Sequence, residues 1–204
     1  MKIALDLDDT LINFAEQMIH FHNHVYGTNY KFHEFHSFLF HEVWGGDAKT
    51  NKAEVEAYYK SDHFKNITPI AGALDAVEKL SRDNVLFIIT SRRNNVSSIT
   101  KDQVSRFFPD KFQQIYCTGQ YDPDDKPITK AEICDSLNID ILIEDSADNA
   151  NSCVKNGRRI YMFNRPWNIN RIILPEVKRV DSWTEVLDDI YKNKNDSKTL
   201  KQNN

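Results

Sequence analysis

An apolar run, K-I-A-L-D-L at 2–7, stops on acids in the stretch Asp6-Leu7-Asp8-Asp9-Thr10. Inside a regular strand Asp6 and Asp8 would point to opposite faces. Just past the strand, a tight turn can aim both at one ligand. One carboxylate of such a pair can attack a phosphate once a hard cation with oxygen ligands masks its charge. The other can protonate the leaving oxygen and later deprotonate water. A solvated acidic turn has the same letters, so the chemistry needs partners elsewhere in the chain.

Three further signals supply them. Thr90 and Ser91 follow the buried-strand pattern V-L-F-I-I at 85–89, where a hydroxyl can donate to a phosphoryl oxygen or cap the next helix. Lys130 stands in the first turn of a helix that opens at Thr129 with a capping box to Glu132. A cation does not help a helix start, which points to a ligand-directed role, with a plain solvated lysine as the alternative and Lys126 as a competitor. In I-L-I-E-D-S at 141–146 two acids leave an apolar run together. Asp145 is placed to complete an oxygen-ligand metal site with Asp6 and the backbone carbonyl of Asp8. Glu144 would orient metal-bound water from behind. The plain alternative is that one of the two acids caps the following helix.

These residues need a scaffold that gathers them. Apolar runs at 2–7, Val85–Ile89, Ile139–Ile143 and Arg159–Phe163, with a weaker one at Gln113–Cys117, read as strands. Helical patterns lie between them at Ala71–Leu80 (through Leu74, Val77 and Leu80), Val96–Phe108, Thr129–Leu137 and Ala147–Asn156. This alternation predicts a doubly wound parallel α/β sheet, which places ligands beyond the carboxyl ends of its strands. All four signals then meet at one edge. Residues 15–69 break the alternation: they are helical, aromatic and histidine-rich, and far longer than one crossover requires. They read as a small helical cap on a core of residues 1–14 and 70–191, and the polar stretch 192–204 as a disordered tail.

Composition sets the outer bounds. The chain has 204 residues, 40% hydrophobic and 27% charged, with a net charge of -4, which fits a globular fold with a real core. No Lys/Arg stripe is present, so no nucleic-acid polymer is expected as partner. The acids at 6–9 cut the first apolar run too short for a signal peptide, and no stretch is long enough to span a membrane. Cys117, Cys134 and Cys153 are scattered and odd in number, as in reduced proteins. A cytoplasmic location is expected.

The order Asp6-Leu7-Asp8-Asp9-Thr10, Thr90, Lys130, Glu144-Asp145 resembles the four motifs of the haloacid dehalogenase superfamily of phosphohydrolases. The resemblance covers roughly residues 1–15 and 70–190. It implies that Asp6 forms an aspartyl-phosphate, that Asp8 serves as general acid and then base, and that Thr90 and Lys130 hold phosphoryl oxygens. It implies Mg²⁺ bound by Asp6, the Asp8 carbonyl and Asp145, and phosphate contacts from Ser91 and the amides near Leu7 and Asp9. The Thr90-Ser91 pair, the M-F-N-R-P-W-N stretch at 162–168 and the short cap are similar to the 5′(3′)-deoxyribonucleotidase-like, cytosolic type C group. In that group aromatic cap residues stack on the base, and Phe35, Phe38, Phe40 and Trp44 are the candidates here. The same aromatics could instead pack the cap's core.

Arg92 and Arg93 could reach substrate phosphate or sugar, or could form surface ion pairs. His20, His22, His24, His33, His36 and His41 read as a polar face or substrate rim. His20 and His24 have the helix spacing of a zinc pair, but no third ligand of suitable spacing follows. The expected substrate is a small phosphate ester, foremost a nucleoside monophosphate. A sugar phosphate, a phosphomutase reaction, or an inactive phosphate- or partner-binding module of the same fold are the alternatives.

Overall fold

A computed structural model describes residues 1–119, 128–155 and 157–202, with side chains up to Lys192. Its strands are β1 (Lys2–Leu5), β2 (Val85–Thr90), β3 (Gln114–Cys117), β4 (Ile141–Glu144), β5 (Arg159–Phe163) and β6 (Val177–Val180). They form one parallel sheet in the order β3-β2-β1-β4-β5-β6. The helices are α1 (Phe14–Tyr26), α2 (His41–Trp44), α3 (Ala48–Tyr59), α4 (Asp62–Lys65), α5 (Ala73–Asp83), α6 (Ser97–Phe107), α7 (Lys130–Leu137), α8 (Ala147–Ser152) and α9 (Trp183–Gln202). The expected doubly wound α/β fold is the observed one.

The strands are apolar because the sheet is buried on both faces. Side chains alternate between two cores. Ile3, Leu5, Ile88, Ile141, Ile143 and Tyr161 join one, with α1, α5, α6 and α9. Ala4, Phe87, Ile89, Leu142, Ile160 and Met162 join the other, with α7 and α8. Burying a side chain of this size contributes about 1.5–3 kcal/mol, so the central strands carry much of the fold.

Several elements differ from the sequence reading. The buried face of α5 is Ala73, Ala76, Val77 and Leu80, while Leu74 faces solvent. β6 reads V-K-R-V, too short and basic to register as a strand, and it lies at the sheet's edge, where charge discourages further pairing. α9 buries Trp183, Val186, Leu187 and Ile190, a helical period legible in the sequence but passed over there. Its backbone stays helical to Gln202, through the stretch expected to be a disordered tail, and no Gly or Pro interrupts it. No described helix is long and apolar enough to cross a membrane.

The insert after β1 is helical as expected and carries α1 to α4. Its aromatic cluster merges with the core on one side of the sheet: Phe14, Phe21, Phe35, Phe40, Tyr58 and Phe64 are continuous with Leu5 and Ile143. The insert leaves and rejoins the core through two adjacent strands of chain. There Asn13 donates to the Thr68 carbonyl and Ile70 to the Leu11 carbonyl, both at 2.9 Å.

Where the chain re-enters the core, Gly72 starts α5 with φ of +82°, and a Cβ placed there would lie 3.3 Å from Cβ of Trp183. The Gly72→Ala protein should therefore lose about 1–2 kcal/mol of stability, the cost of a left-handed residue with a Cβ. Urea unfolding measures this, and an unchanged midpoint would contradict the packing of α9 against this turn.

Candidate active site

The sheet order reverses between β1 and β4, since connections run outward from β1 to β2 and β3 and then return to β4. A crevice opens at such a switch point beyond the strands' carboxyl ends. Register fixes what lines it. Leu5 pairs with Ile143 and the Asp6 amide donates to the Ile143 carbonyl at 2.9 Å, so Asp6 and Glu144 emerge side by side. Leu5 also pairs with Ile88 on the other flank, which brings Thr90 to the same edge.

Asp6, Glu144 and Asp145 each place a carboxylate oxygen within 4.8 Å of the others. Lys130 is buried among them, bonding Asp6 and, at 2.8 Å, Glu144. Its position follows from α7: Thr129 caps the helix through Glu132, and the lysine next to the cap turns inward. Asn149 donates to the second oxygen of Glu144 at 2.8 Å, so both oxygens of that group are engaged within the protein. Trp167 donates to Asp145 at 2.9 Å, and Asn168 to the Asp145 carbonyl at 2.6 Å.

The charges do not balance among these groups. Burial pushes the Asp6 carboxyl up to about 8; Lys130 opposes this, and Glu144 and Asp8 add to it. Burial, then Glu144 and Asp6, raise Asp145 as well. Burial alone would discharge Lys130, but Asp6 and Glu144 outweigh it and keep the ammonium charged. Three buried carboxylates around one lysine form an all-oxygen donor set short of positive charge. That set fits a hard divalent cation.

Asp8 is held differently. Arg92 grips both its oxygens, at 2.8 and 2.7 Å. The guanidinium is buried, donates to Thr100 and Gln103 at 3.1 and 2.9 Å, and lies 5.3–5.9 Å from the ring centroids of Phe14, Tyr59 and Phe64. Thr100 and Gln103 thus have a reason to sit on the buried face of α6. The loop between Asp8 and the insert is also fixed. Asp9 has φ of +57°, its side chain accepts from the Ala15 amide at 3.0 Å, and Arg165 clamps its carbonyl at 2.9 and 2.7 Å. Burial raises the Asp9 carboxyl to about 7, so this acid works as a helix anchor more than as a free charge.

Over this floor lies a cavity of about 360 Å³, in the size range of small-molecule sites. Asp6, Asp8, Thr90, Ser91, Lys130, Glu144 and Asp145 line its base. Phe14, Phe38, Leu39, Phe40, Val55, Tyr59 and Trp167 form apolar walls, with His41, Asn51 and Lys52 as polar wall groups.

The chain matches the model of the family described as 5′ nucleotidase, deoxy (pyrimidine), cytosolic type C, over residues 1–196. It belongs to this family. A candidate nucleotidase of Oceanobacillus iheyensis is 22% identical over 191 residues, 92% of this chain and 97% of that protein. Among solved structures, a predicted phosphatase from Clostridium acetobutylicum superposes with a TM-score of 0.67 at 18% identity, covering 94% of this chain and 98% of the other. A candidate HAD hydrolase of Bacillus subtilis, described as bound to magnesium, gives 0.60 at 17% identity, covering 93% and 97%. The fold is that of the haloacid dehalogenase-like hydrolases, and the chain is a phosphatase.

Within this cytosolic type C nucleotidase-family chain, the structure brings Asp6, Asp8, Thr90, Ser91, Lys130, Glu144 and Asp145 to one cavity. Several expectations change. The Asp9 amide donates to the Ile12 carbonyl at 2.8 Å, so it is committed within its own turn and not offered to a phosphate. Arg92 lines the cavity but spends its charge on Asp8, Thr100 and Gln103; it is neither a surface ion pair nor an open substrate contact. Phe35 is wholly buried against Phe40 and Trp44. Trp44 stacks on His22 at 3.9 Å and donates to Glu54 at 2.9 Å, and neither Phe35 nor Trp44 reaches the cavity. Phe38 and Phe40 do. Lys126 lies outside the described residues.

Asn149, Arg165, Trp167 and Asn168 were missed as site-builders. For Arg165, Trp167 and Asn168 the signal was the N-R-P-W-N letters, whose partners lie 22 to 156 residues away, whereas Asn149 reaches Glu144 only five residues before it.

The Asp8–Arg92 pair is open to direct measurement. Replacing Arg92 by Met should cost roughly 3 kcal/mol in urea unfolding, the lower end for a broken buried pair because Asp8 keeps some contact with solvent. A loss below about 1 kcal/mol, the size of a surface pair, would mean that the pair does not form as described.

Proposed function

We propose that this chain is a magnesium-dependent phosphomonoesterase that works through a phosphorylated Asp6 and takes nucleoside monophosphates. One observation carries this reading: the cavity joins a charged floor of Asp6, Asp8, Thr90 and Lys130 to aromatic and aliphatic walls. The floor suits a phosphate, and the walls suit the flat apolar faces of a base. A sugar phosphate would meet His41, Asn51 and Lys52 but would leave the aromatic and aliphatic walls without an apolar partner. The family's description and the name of the Oceanobacillus relative support the same substrate class.

Asp6, Asp145 and the carbonyl of Asp8 would hold Mg²⁺, with Glu144 behind them. When bound, the ion masks carboxylate charge and stabilises developing charge on a phosphoryl oxygen. Asp6 attacks phosphorus, and the bond to the leaving oxygen breaks. Asp8, in its acid form, gives that oxygen a proton. Asp8, now a carboxylate, takes a proton from water as the water oxygen attacks phosphorus. The bond to Asp6 then breaks and inorganic phosphate leaves. Thr90 and Lys130 steady the phosphoryl oxygens throughout.

The bidentate pair with Arg92 is made by the carboxylate form of Asp8, the form that accepts a proton. To donate one, Asp8 turns off Arg92. Residues 15–69 act as the cap over a core of 1–14 and 70–191, and a cytoplasmic setting agrees with the family's description as cytosolic.

Purified protein with Mg²⁺ is tested on deoxynucleoside 5′- and 3′-monophosphates and on hexose phosphates. Stacking a base contributes about 1–3 kcal/mol, so nucleotides should be preferred by roughly ten- to hundredfold in kcat/KM. A preference for hexose phosphates would overturn the substrate assignment. Asp6→Asn should lower phosphate release by at least about a thousandfold, as removal of a nucleophile does; residual activity within tenfold would remove Asp6 from that role.

The ion has a readout apart from activity. Mg²⁺ should raise the Tm of the wild type, because it binds only the folded carboxylate cluster. The rise should vanish in Asp145→Asn. If it persists, the cation sits elsewhere.

A further inference from the structure

We propose that His24 and His63 hold a transition-metal ion of the zinc and nickel type on the outer side of the insert, with His20, one helical turn from His24 and not yet within ligand distance of both, swinging in as a third ligand. His20 and His24 lie four residues apart on α1, exposed on one face, which is the spacing of two imidazole ligands on a helix. The third ring, which the sequence reading did not find, arrives through the fold. α4 packs against α1 through Phe64, buried on Tyr58 and Phe14, and this seats the neighbouring His63 over the same face.

Nδ1 of His24 and Nε2 of His63 are 3.1 Å apart. Two nitrogens at that separation, each about 2.0–2.1 Å from one ion, subtend roughly 100° at it, between octahedral and tetrahedral geometry. The rings lie at 67° with centroids 5.4 Å apart, so the two nitrogens point at each other across a single proton. An ion in that position sits off the line between the two nitrogens, so it replaces the proton only once both rings turn toward it, and their partial exposure leaves room for the turn. His24 and His20 both disfavour charge on His63, after burial, and so favour the neutral ring that binds metal. Asp62, exposed beside His63, is paired with Lys65 at 2.7 Å, so the site offers imidazole nitrogen more than negative charge.

Imidazole nitrogen selects zinc, nickel or copper, whereas the carboxylate floor selects magnesium. The two sites would therefore fill independently. An ion here would tie α1 to α4 and stiffen the insert without touching the cavity, whose lining includes none of the three histidines.

The test titrates Zn²⁺ into the full chain with Mg²⁺ in excess to hold the carboxylate site. The wild type should bind one equivalent and gain in Tm. His24→Ala and His63→Ala should each weaken binding by at least about tenfold, since even groups behind a ligand are worth that much. His36→Ala, away from the cluster, should bind as the wild type does. Matching melting temperatures without zinc show that the variants fold. In the wild type, zinc should shift the imidazole proton resonances of His20, His24 and His63 together, a readout that needs no variant. Unchanged affinity in both His24→Ala and His63→Ala, or no shift of those resonances, overturns the site. Loss of zinc binding in Asp145→Asn alone places the ion in the carboxylate cluster and overturns it too.

Discussion

A buried lysine at a helix start is unfavourable on two counts, through desolvation and through the helix dipole. Lys130 is stable there because Asp6 and Glu144 flank its ammonium, and they can do so only because β1 and β4 are parallel neighbours in register. The arrangement in turn constrains the acids. Each buried ion costs several kcal/mol to desolvate, and one lysine cannot offset three carboxylates. The floor of the cavity is thus held together by a cation and still short of positive charge. Nearby polar contacts, Asn149 on Glu144 and Trp167 on Asp145, aim the acids without supplying that charge. A site built this way is set up to receive a cation and an anionic ligand together.

A second buried cation organises the other side. Arg92 joins the loop after β2 to Asp8, to α6 and to the aromatic rings of the insert. Without the rings and Thr100 and Gln103, a buried guanidinium would be too costly; without Arg92, Asp8 would face those rings uncompensated. Arg165 plays a similar part for the turn at Asp9, whose left-handed backbone needs external support. The orientation of the two central acids is therefore set by groups well separated from them in sequence.

How far this was legible follows from the range of each interaction. Strands β1, β2, β4 and β5 announced themselves as short apolar runs, and the sheet-edge rule placed Asp6, Thr90, Lys130 and Asp145 together without coordinates. The cap of α7 was readable too, because Thr129 and Glu132 are local partners. Arg92 was not readable: its choice between substrate, surface and core depends on rings at 14, 59 and 64 and on amphipathic polarity in α6. Phe35, Phe40 and Trp44 looked equivalent as letters. Only the packing of the insert sends Phe40 to the cavity and the other two inward. β6 escaped notice because four alternating residues with two cations carry almost no pattern.

The insert and the chemistry are mechanically joined. Its aromatic cluster is continuous with the sheet's core, so lifting the insert as a whole would expose several rings, each contributing about 1.5–3 kcal/mol by burial. The same movement would strip Phe14, Tyr59 and Phe64 from Arg92 and weaken its grip on Asp8. Packing of the insert and readiness of Asp8 therefore change together. A ligand that fills the apolar walls between Phe40 and Tyr59 acts on the same surfaces that set the Arg92 pair. Under the proposed reaction, selection of the leaving group and positioning of Asp8 are two consequences of one packing arrangement.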